Sequence, residues 1–252
     1  MGVLGVLVAG LLIVPTPIAS EYVALGDSYA AGVGAGGYDA ASRDCRRGDA
    51  AYPALWRARH DVVSFRFVAC SGATTRDVIE RQVPSLTPET GLVTLTVGGN
   101  DAGFVDVLTD CTLGGDRACL SSVAKAKRVI SDELPGRLVR VFAAVEERAP
   151  AARVVVLGYP RLFEAKSCSG GLTSAKRAAI NEGADLMATV TAAAADAAGA
   201  VFVDVRGAFA GHGICGAQPW LHALTSPTSN SYHPNRQGQS DGYLPALEAA
   251  TR

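Results

Sequence analysis

Three times in this chain a β-forming apolar run stops abruptly in a small, polar, glycine-bearing turn. Tyr22-Val23-Ala24-Leu25 ends in Gly26-Asp27-Ser28, and Phe65-Arg66-Phe67-Val68-Ala69 ends in Cys70-Ser71-Gly72. Leu92-Val93-Thr94-Leu95-Thr96-Val97 ends in Gly98-Gly99-Asn100-Asp101. Two further runs, Val154-Val155-Val156-Leu157 and Val201-Phe202-Val203, bring the strand count to five. Helical patterns fill the intervals: 51–59, Thr74 or Thr75 to Gln82, 121–148 with a break at Pro135-Gly136, 174–198 and 235–250. Strands alternating with helices predict an α/β fold with a parallel sheet covered on both faces. No internal repeat or linker interrupts the 252 residues, so one domain over 21–252 is expected.

Parallel strands bring the three turns to one edge of the sheet, the carboxyl edge where ligands bind. Glycine lets a backbone N–H approach a ligand closely, and an asparagine amide adds a neutral donor. A serine at the start of a helix has a free N–H beneath its own hydroxyl. Three donors converging beside Ser28 describe an oxyanion hole. Each turn also has a plain reading: Ser28 as an N-cap, Gly72 and Gly98 as turn glycines. A nucleophilic serine needs a base, and there are four histidines. His60 closes a helical segment, His212 sits in a Gly-His-Gly loop, and His222 follows Trp220-Leu221 as a structural or pocket residue. His233 precedes Pro234, which can open a helix, so its ring is held at a loop-to-helix junction; it leads by a narrow margin.

Positions 3–14 are almost wholly apolar, and Pro15 to Ser20 then supply breakers and small residues, the layout of a signal peptide over 1–20. The positive n-region is missing, and a retained membrane anchor is the competing reading, although the run is short for a span. Six cysteines without a CxxC pair favour disulfides in an exported protein over a metal site. Pairing neighbours in order gives Cys45–Cys70, Cys111–Cys119 and Cys168–Cys215. Acids and bases nearly cancel, 24 against 23, and no basic stripe forms, so a nucleic-acid partner is not expected.

Gly26-Asp27-Ser28, Gly72, Gly99-Asn100-Asp101 and His233-Pro234 resemble, in order, the four blocks of the SGNH (GDSL) hydrolases. The phrases GDSYAAG, GYPRLF and FAGHGIC are similar to the secreted actinobacterial lipase/esterase branch, which carries three disulfides. The resemblance implies a three-layer α/β/α sandwich with a five-stranded parallel sheet of flavodoxin-like type. It implies Ser28 as nucleophile, His233 as base, and an oxyanion hole made by the N–H groups of Ser28 and Gly72 and the side chain of Asn100.

One position departs from the family. Asp usually stands three residues before the histidine, and here that residue is Asn230. A backbone carbonyl, that of Asn230, is expected to orient the ring, leaving a Ser–His dyad; Asp204 is a weaker candidate for a carboxylate partner. The implied reaction is two-step acyl transfer, with no metal and no cofactor. The expected enzyme is a secreted, extracellular monomer acting on a small-molecule or lipid ester, with no stable membrane insertion once the signal is removed. Tyr29, Phe104, Tyr159, Phe163, Trp220 and Tyr232 are the candidate pocket walls, favouring acyl esters over a sugar acetate, with a phospholipase as a further alternative on the same site; the presence of Ser28, Asn100 and His233 together speaks against a non-catalytic binding role.

Overall fold

The computed structural model describes residues 20–165 and 171–252. Its strands are β1 (Glu21–Ala24), β2 (Ser64–Phe67), β3 (Thr90–Leu95), β4 (Arg153–Leu157) and β5 (Val201–Val203). They form one sheet in the order β2-β1-β3-β4-β5, every pairing parallel. Strand periodicity divides the buried side chains between two faces. Tyr22, Ala24, Leu92, Val155 and Leu157 enter one apolar cluster; Val23, Leu25, Val93, Leu95 and Val156 enter the other.

Helices cover both faces, giving the expected three-layer α/β/α sandwich. In chain order they are α1 (Ser28–Ala31), α2 (Tyr52–Arg59), α3 (Thr75–Asp77), α4 (Phe104–Leu113), α5 (Asp116–Asp132), α6 (Leu134–Arg148), α7 (Ser174–Ala197) and α8 (Leu244–Ala250). Tyr52, Trp56, Leu244 and Leu247 bring α2 and α8 into the first cluster. Leu138, Val141 and Met187 bring α6 and α7 into the second.

The helices differ from the sequence reading in detail. The break near Pro135 falls at Glu133, and Pro135 occupies the first turn of α6, where a missing N–H costs nothing. The last helix is continuous over 236–250, as expected, with a widened turn over Gly238–Tyr243 leading into α8. Helix α4 was not foreseen: it starts after Gly103, in a left-handed conformation, with no side-chain cap to announce it.

Cys45–Cys70 and Cys111–Cys119 are bonded as expected. The first ties the long loop after α1 to the end of β2; the second joins α4 to α5. Cys168 lies outside the described residues, and so does the pairing expected for it with Cys215. The expected signal segment also falls outside them, except for Ser20.

Candidate active site

The turn that presents Ser28 is set by Gly26. Its φ is +128°, and a Cβ there would come within 2.5 Å of the Thr96 carbonyl on the neighbouring strand. Only glycine fits that close crossing. The buried Gln82 side chain clamps the same residue twice, accepting its N–H at 2.7 Å and donating to its carbonyl at 2.9 Å. Asp27 then caps α1 by accepting the Tyr29 N–H at 2.9 Å, which leaves Ser28 as the first helical residue. The site therefore lies between β1 and β3, where the strand order reverses.

His233 reaches Ser28 from the far end of the sequence, with Nε2 2.8 Å from Ser28 Oγ. Its Nδ1 lies 3.0 Å from the Ser231 carbonyl oxygen. A carbonyl can only accept, so Nδ1 carries the proton and Nε2 faces the serine hydroxyl as an acceptor. Burial holds the imidazole pKa down to about 4, with Arg46 and His222 adding positive charge against protonation, while the Ser231 carbonyl pulls the other way. The ring is thus neutral near pH 7.

The orienting carbonyl belongs to Ser231, which corrects the expectation placed on Asn230. Tyr232 adopts a left-handed φ of +62°, folding the chain so that the residue two before His233 meets the ring. The strained tyrosine is held at both ends: its carbonyl accepts from Tyr29 Oη at 2.7 Å and its own hydroxyl pairs with Thr112 at 2.8 Å. The Asn230 carbonyl instead accepts the His233 backbone N–H at 3.3 Å. Its side-chain oxygen is taken by Arg46 and, at 3.3 Å, by the Tyr38 hydroxyl. Asp204 is paired with Arg206 and takes no part.

Ser28, Gly72, Asn100 and His233 line one groove, of about 610 Å³, walled by α4 and by the loop before His233. The Gly72 backbone is left-handed (φ +83°), and nothing lies within 4 Å of where its Cβ would be, so this edge is open to a ligand. Among the described residues, neither the Ser28 nor the Gly72 N–H has a hydrogen-bond acceptor. Asn100 Nδ2 spends one hydrogen on the Ala73 carbonyl at 2.9 Å and keeps its second. Asp101, next in sequence, receives the N–H and hydroxyl of Thr75 at 2.9 and 2.6 Å and Arg137 at 3.1 Å. That latch ties the Gly72 turn to the Asn100 turn.

A narrower cavity of about 80 Å³ also opens at Ser28 and runs between α5 and α7, past Phe104, Leu108, Ile130, Ile180 and Met187. Of the six aromatic residues proposed as walls, Tyr29, Phe104 and Tyr159 line this cavity and Phe104 and Tyr232 line the groove. Phe163 and Trp220 do not: Phe163 is core, and Trp220 stacks on His212 at 3.6 Å. His60 stacks on Trp56 at 4.0 Å, and His222 Nε2 lies 2.8 Å from the Gly34 carbonyl, so both are structural. The sequence reading missed Gln82, Gln239 and Ser231. Gln239 is fully buried, accepts the Tyr52 N–H at 2.9 Å and donates to the Tyr29 carbonyl at 3.0 Å. Nothing local marks a glutamine for burial; Asp101 was signalled by its place in a strand-end turn.

Residues 24–240 match the family described as GDSL-like Lipase/Acylhydrolase. The chain is 53% identical to a lipase of Streptomyces rimosus, the alignment covering 92% of this chain and 87% of that one. Lipase 1 of Streptomyces coelicolor is 48% identical over the same shares. Among solved structures, phospholipase A1 from Streptomyces albidoflavus superposes with a TM-score of 0.91 at 50% identity, covering 92% of this chain and 99% of that one. An extracellular lipase from Streptomyces rimosus superposes at 0.90 with 52% identity, covering 92% and 100%.

Proposed function

The chain belongs to the GDSL-like lipase/acylhydrolase family and is a carboxylic ester hydrolase, and from that premise we propose that Ser28 and His233 carry its reaction as a dyad. His233 Nε2 takes the Ser28 proton as Oγ attacks the ester carbonyl carbon. The carbonyl oxygen becomes an oxyanion held by the N–H groups of Ser28 and Gly72 and by Asn100 Nδ2. As the tetrahedral intermediate collapses, the imidazolium gives its proton to the departing alkoxide, leaving an acyl ester on Ser28. Water then loses a proton to Nε2, attacks the acyl carbon and releases the acid, and the proton returns to Ser28. The imidazolium has only the Ser231 carbonyl dipole behind it, with no carboxylate at Nδ1. The observation that carries this reading is the 2.8 Å contact between Nε2 and Ser28 Oγ, with Nδ1 held by Ser231.

Phe104 and Leu108, which line both cavities, favour acyl esters over acetylated sugars. Lipid esters are the substrate class proposed here, and the likeness to a phospholipase A1 makes glycerophospholipids the second reading. The extracellular relative supports export with 1–20 as the signal segment, and a monomer is part of the same proposal; among the described residues, no helix is long and apolar enough to cross a membrane. The test is a hydrolysis profile across p-nitrophenyl esters, triglycerides, phosphatidylcholine and acetylated sugars, run on wild type and Ser28→Ala. Hydrolysis of acyl esters that falls by several orders of magnitude in folded Ser28→Ala is expected; retained activity would end the mechanism.

A further inference from the structure

Three large apolar side chains stand exposed around the mouth of the Ser28 groove: Val105 at 65%, Leu113 at 82% and Leu224 at 59%. Val105 and Leu113 lie on α4, eight residues apart and so about 12 Å along its axis. Leu224 faces them across the groove. Between them the groove is lined by hydroxyls, the Asn100 amide, Gly72, Leu108 and the rings of Phe104, Tyr232 and His233, and among the described residues none of the lining is Asp, Glu, Lys or Arg. The acids of α4, Asp106 and Asp110, face a different depression.

This exposure is built into the fold. Lys176, itself buried, donates to the carbonyls of Cys111 (2.8 Å) and Gly114 (2.7 Å), and Cys111 is bonded to Cys119. The end of α4 that carries Leu113 is therefore pinned in place. On the other side, Thr225, next to Leu224, donates its N–H at 3.0 Å to the hydroxyl of Ser231, the residue that orients His233. Arg46, the cation beside the rim, is held by the Ser229 carbonyl, the Asn230 side chain and the Tyr38 ring 4.6 Å away and is not part of the groove lining.

We infer that Val105, Leu113 and Leu224 form a neutral lipid-docking rim, which seats the mouth of the groove on the surface of a zwitterionic or uncharged lipid aggregate. The inference rests on the ester-hydrolase reading and names how the substrate is presented. Apolar side chains gain by leaving water, and the groove they surround already ends at Ser28, so a lipid lifted from that surface meets the serine along a lining that, among the described residues, holds no Asp, Glu, Lys or Arg. A second copy of the chain on the same rim would close the groove it needs.

The test uses Ser28→Ala protein and vesicles of ether-linked phosphatidylcholine, which has no acyl ester to cleave. Adding Leu113→Ser and Leu224→Ser should lower vesicle partition by about tenfold, or 1.4 kcal/mol. Val63→Ser with Val139→Ser, exposed apolar sites remote from the groove lining, should leave partition unchanged. All variants share the same N-terminal segment, so differences report on the rim. With Ser28 restored, kcat/KM for p-nitrophenyl acetate should stay within about twofold, since a soluble ester has no surface to dock. Equal partition in the rim variant and its parent overturns the inference. So does an equal loss in the Val63/Val139 control, no partition by the parent, or a parent dimer that the rim substitutions dissolve. Failure of Ser28 as nucleophile would show separately, as p-nitrophenyl acetate hydrolysis surviving in Ser28→Ala, and would leave the vesicle comparison readable.

Discussion

The hydroxyl of Tyr159 donates to the carboxylate of Asp27, and the same oxygen accepts the Gly99 N–H at 3.0 Å. Asp27 immediately precedes Ser28 and Gly99 immediately precedes Asn100, so one phenol ties the turn of the proposed nucleophile to that of a proposed oxyanion donor. Burial raises the Asp27 pKa to about 7, against the hydrogen bonds from Tyr159 and the Tyr29 N–H that favour its charge.

Tyr159→Phe removes the donor to a buried carboxylate and leaves the Gly99 N–H without its acceptor. Stability should fall by about 1–3 kcal/mol in urea unfolding. As the Ser28 and Asn100 turns lose their common tie, kcat on a soluble ester should drop by roughly tenfold, about 1.4 kcal/mol of barrier. Unchanged stability and rate would show that the hydroxyl is idle.

Asp27 and His233 pull the pH dependence of stability in opposite directions. The folded-state pKa of Asp27, about 7, lies above its ordinary 3.8, so the folded protein holds the proton more tightly. That stabilisation is complete below the ordinary value and is lost as pH rises towards 7. His233 has a folded value of about 4 against an ordinary 6.5, so its contribution is present above 6.5 and lost as pH falls to 4. Asp27→Asn should leave the His233 effect uncovered: the urea midpoint of the variant should rise with pH between these values more steeply than that of wild type.

The acid limb of kcat/KM should fall well below the ordinary histidine value of 6.5, towards 4, because burial disfavours the His233 imidazolium. Arg46 adds to that depression. Arg46→Gln removes a positive charge, favours the protonated ring and should move the limb upward. A limb that stays in place in the variant would mean the guanidinium charge is screened from His233.

Asn100→Ala should cost roughly 10²–10³ in kcat, about 2.7–4 kcal/mol, with a smaller change in KM. A pure KM effect would transfer Asn100 from the oxyanion to ground-state binding.

With the Ser231 carbonyl on Nδ1, the Asn230 side chain hydrogen-bonds, among the described residues, to Arg46 and Tyr38 and not to His233. Asn230→Ala should therefore keep activity within about tenfold, or 1.4 kcal/mol of barrier, while His233→Ala should lose several orders of magnitude. Collapse of activity in folded Asn230→Ala would return the role to Asn230.

Much of the scaffold was legible because it follows from local rules. Tyr22 to Leu25 reads as a strand wherever it is met, and Gly26 must end it, since no side chain fits against Thr96. The order Gly26-Asp27-Ser28, Gly72, Asn100, His233 carried the candidate site by type and position. Helix α4 escaped because its signal is inverted: Val105 and Leu113 are exposed where an amphipathic pattern would bury them, and no cap opens the helix.

The sequence by itself determined the alternation of strands and helices and the strand ends that carry Ser28, Gly72 and Asn100, and through the family resemblance it favoured His233 among four histidines. Tertiary structure alone decided which carbonyl holds that histidine. A left-handed Tyr232, fastened by Tyr29 and Thr112 from elsewhere in the chain, turns Ser231 rather than Asn230 onto Nδ1. It also decided that Gln82, Tyr159 and Asp101 brace the turns, at separations of 56, 132 and 26 residues from Gly26, Asp27 and Thr75. Contacts over such distances depend on how sheet and helices pack, and no local pattern encodes them.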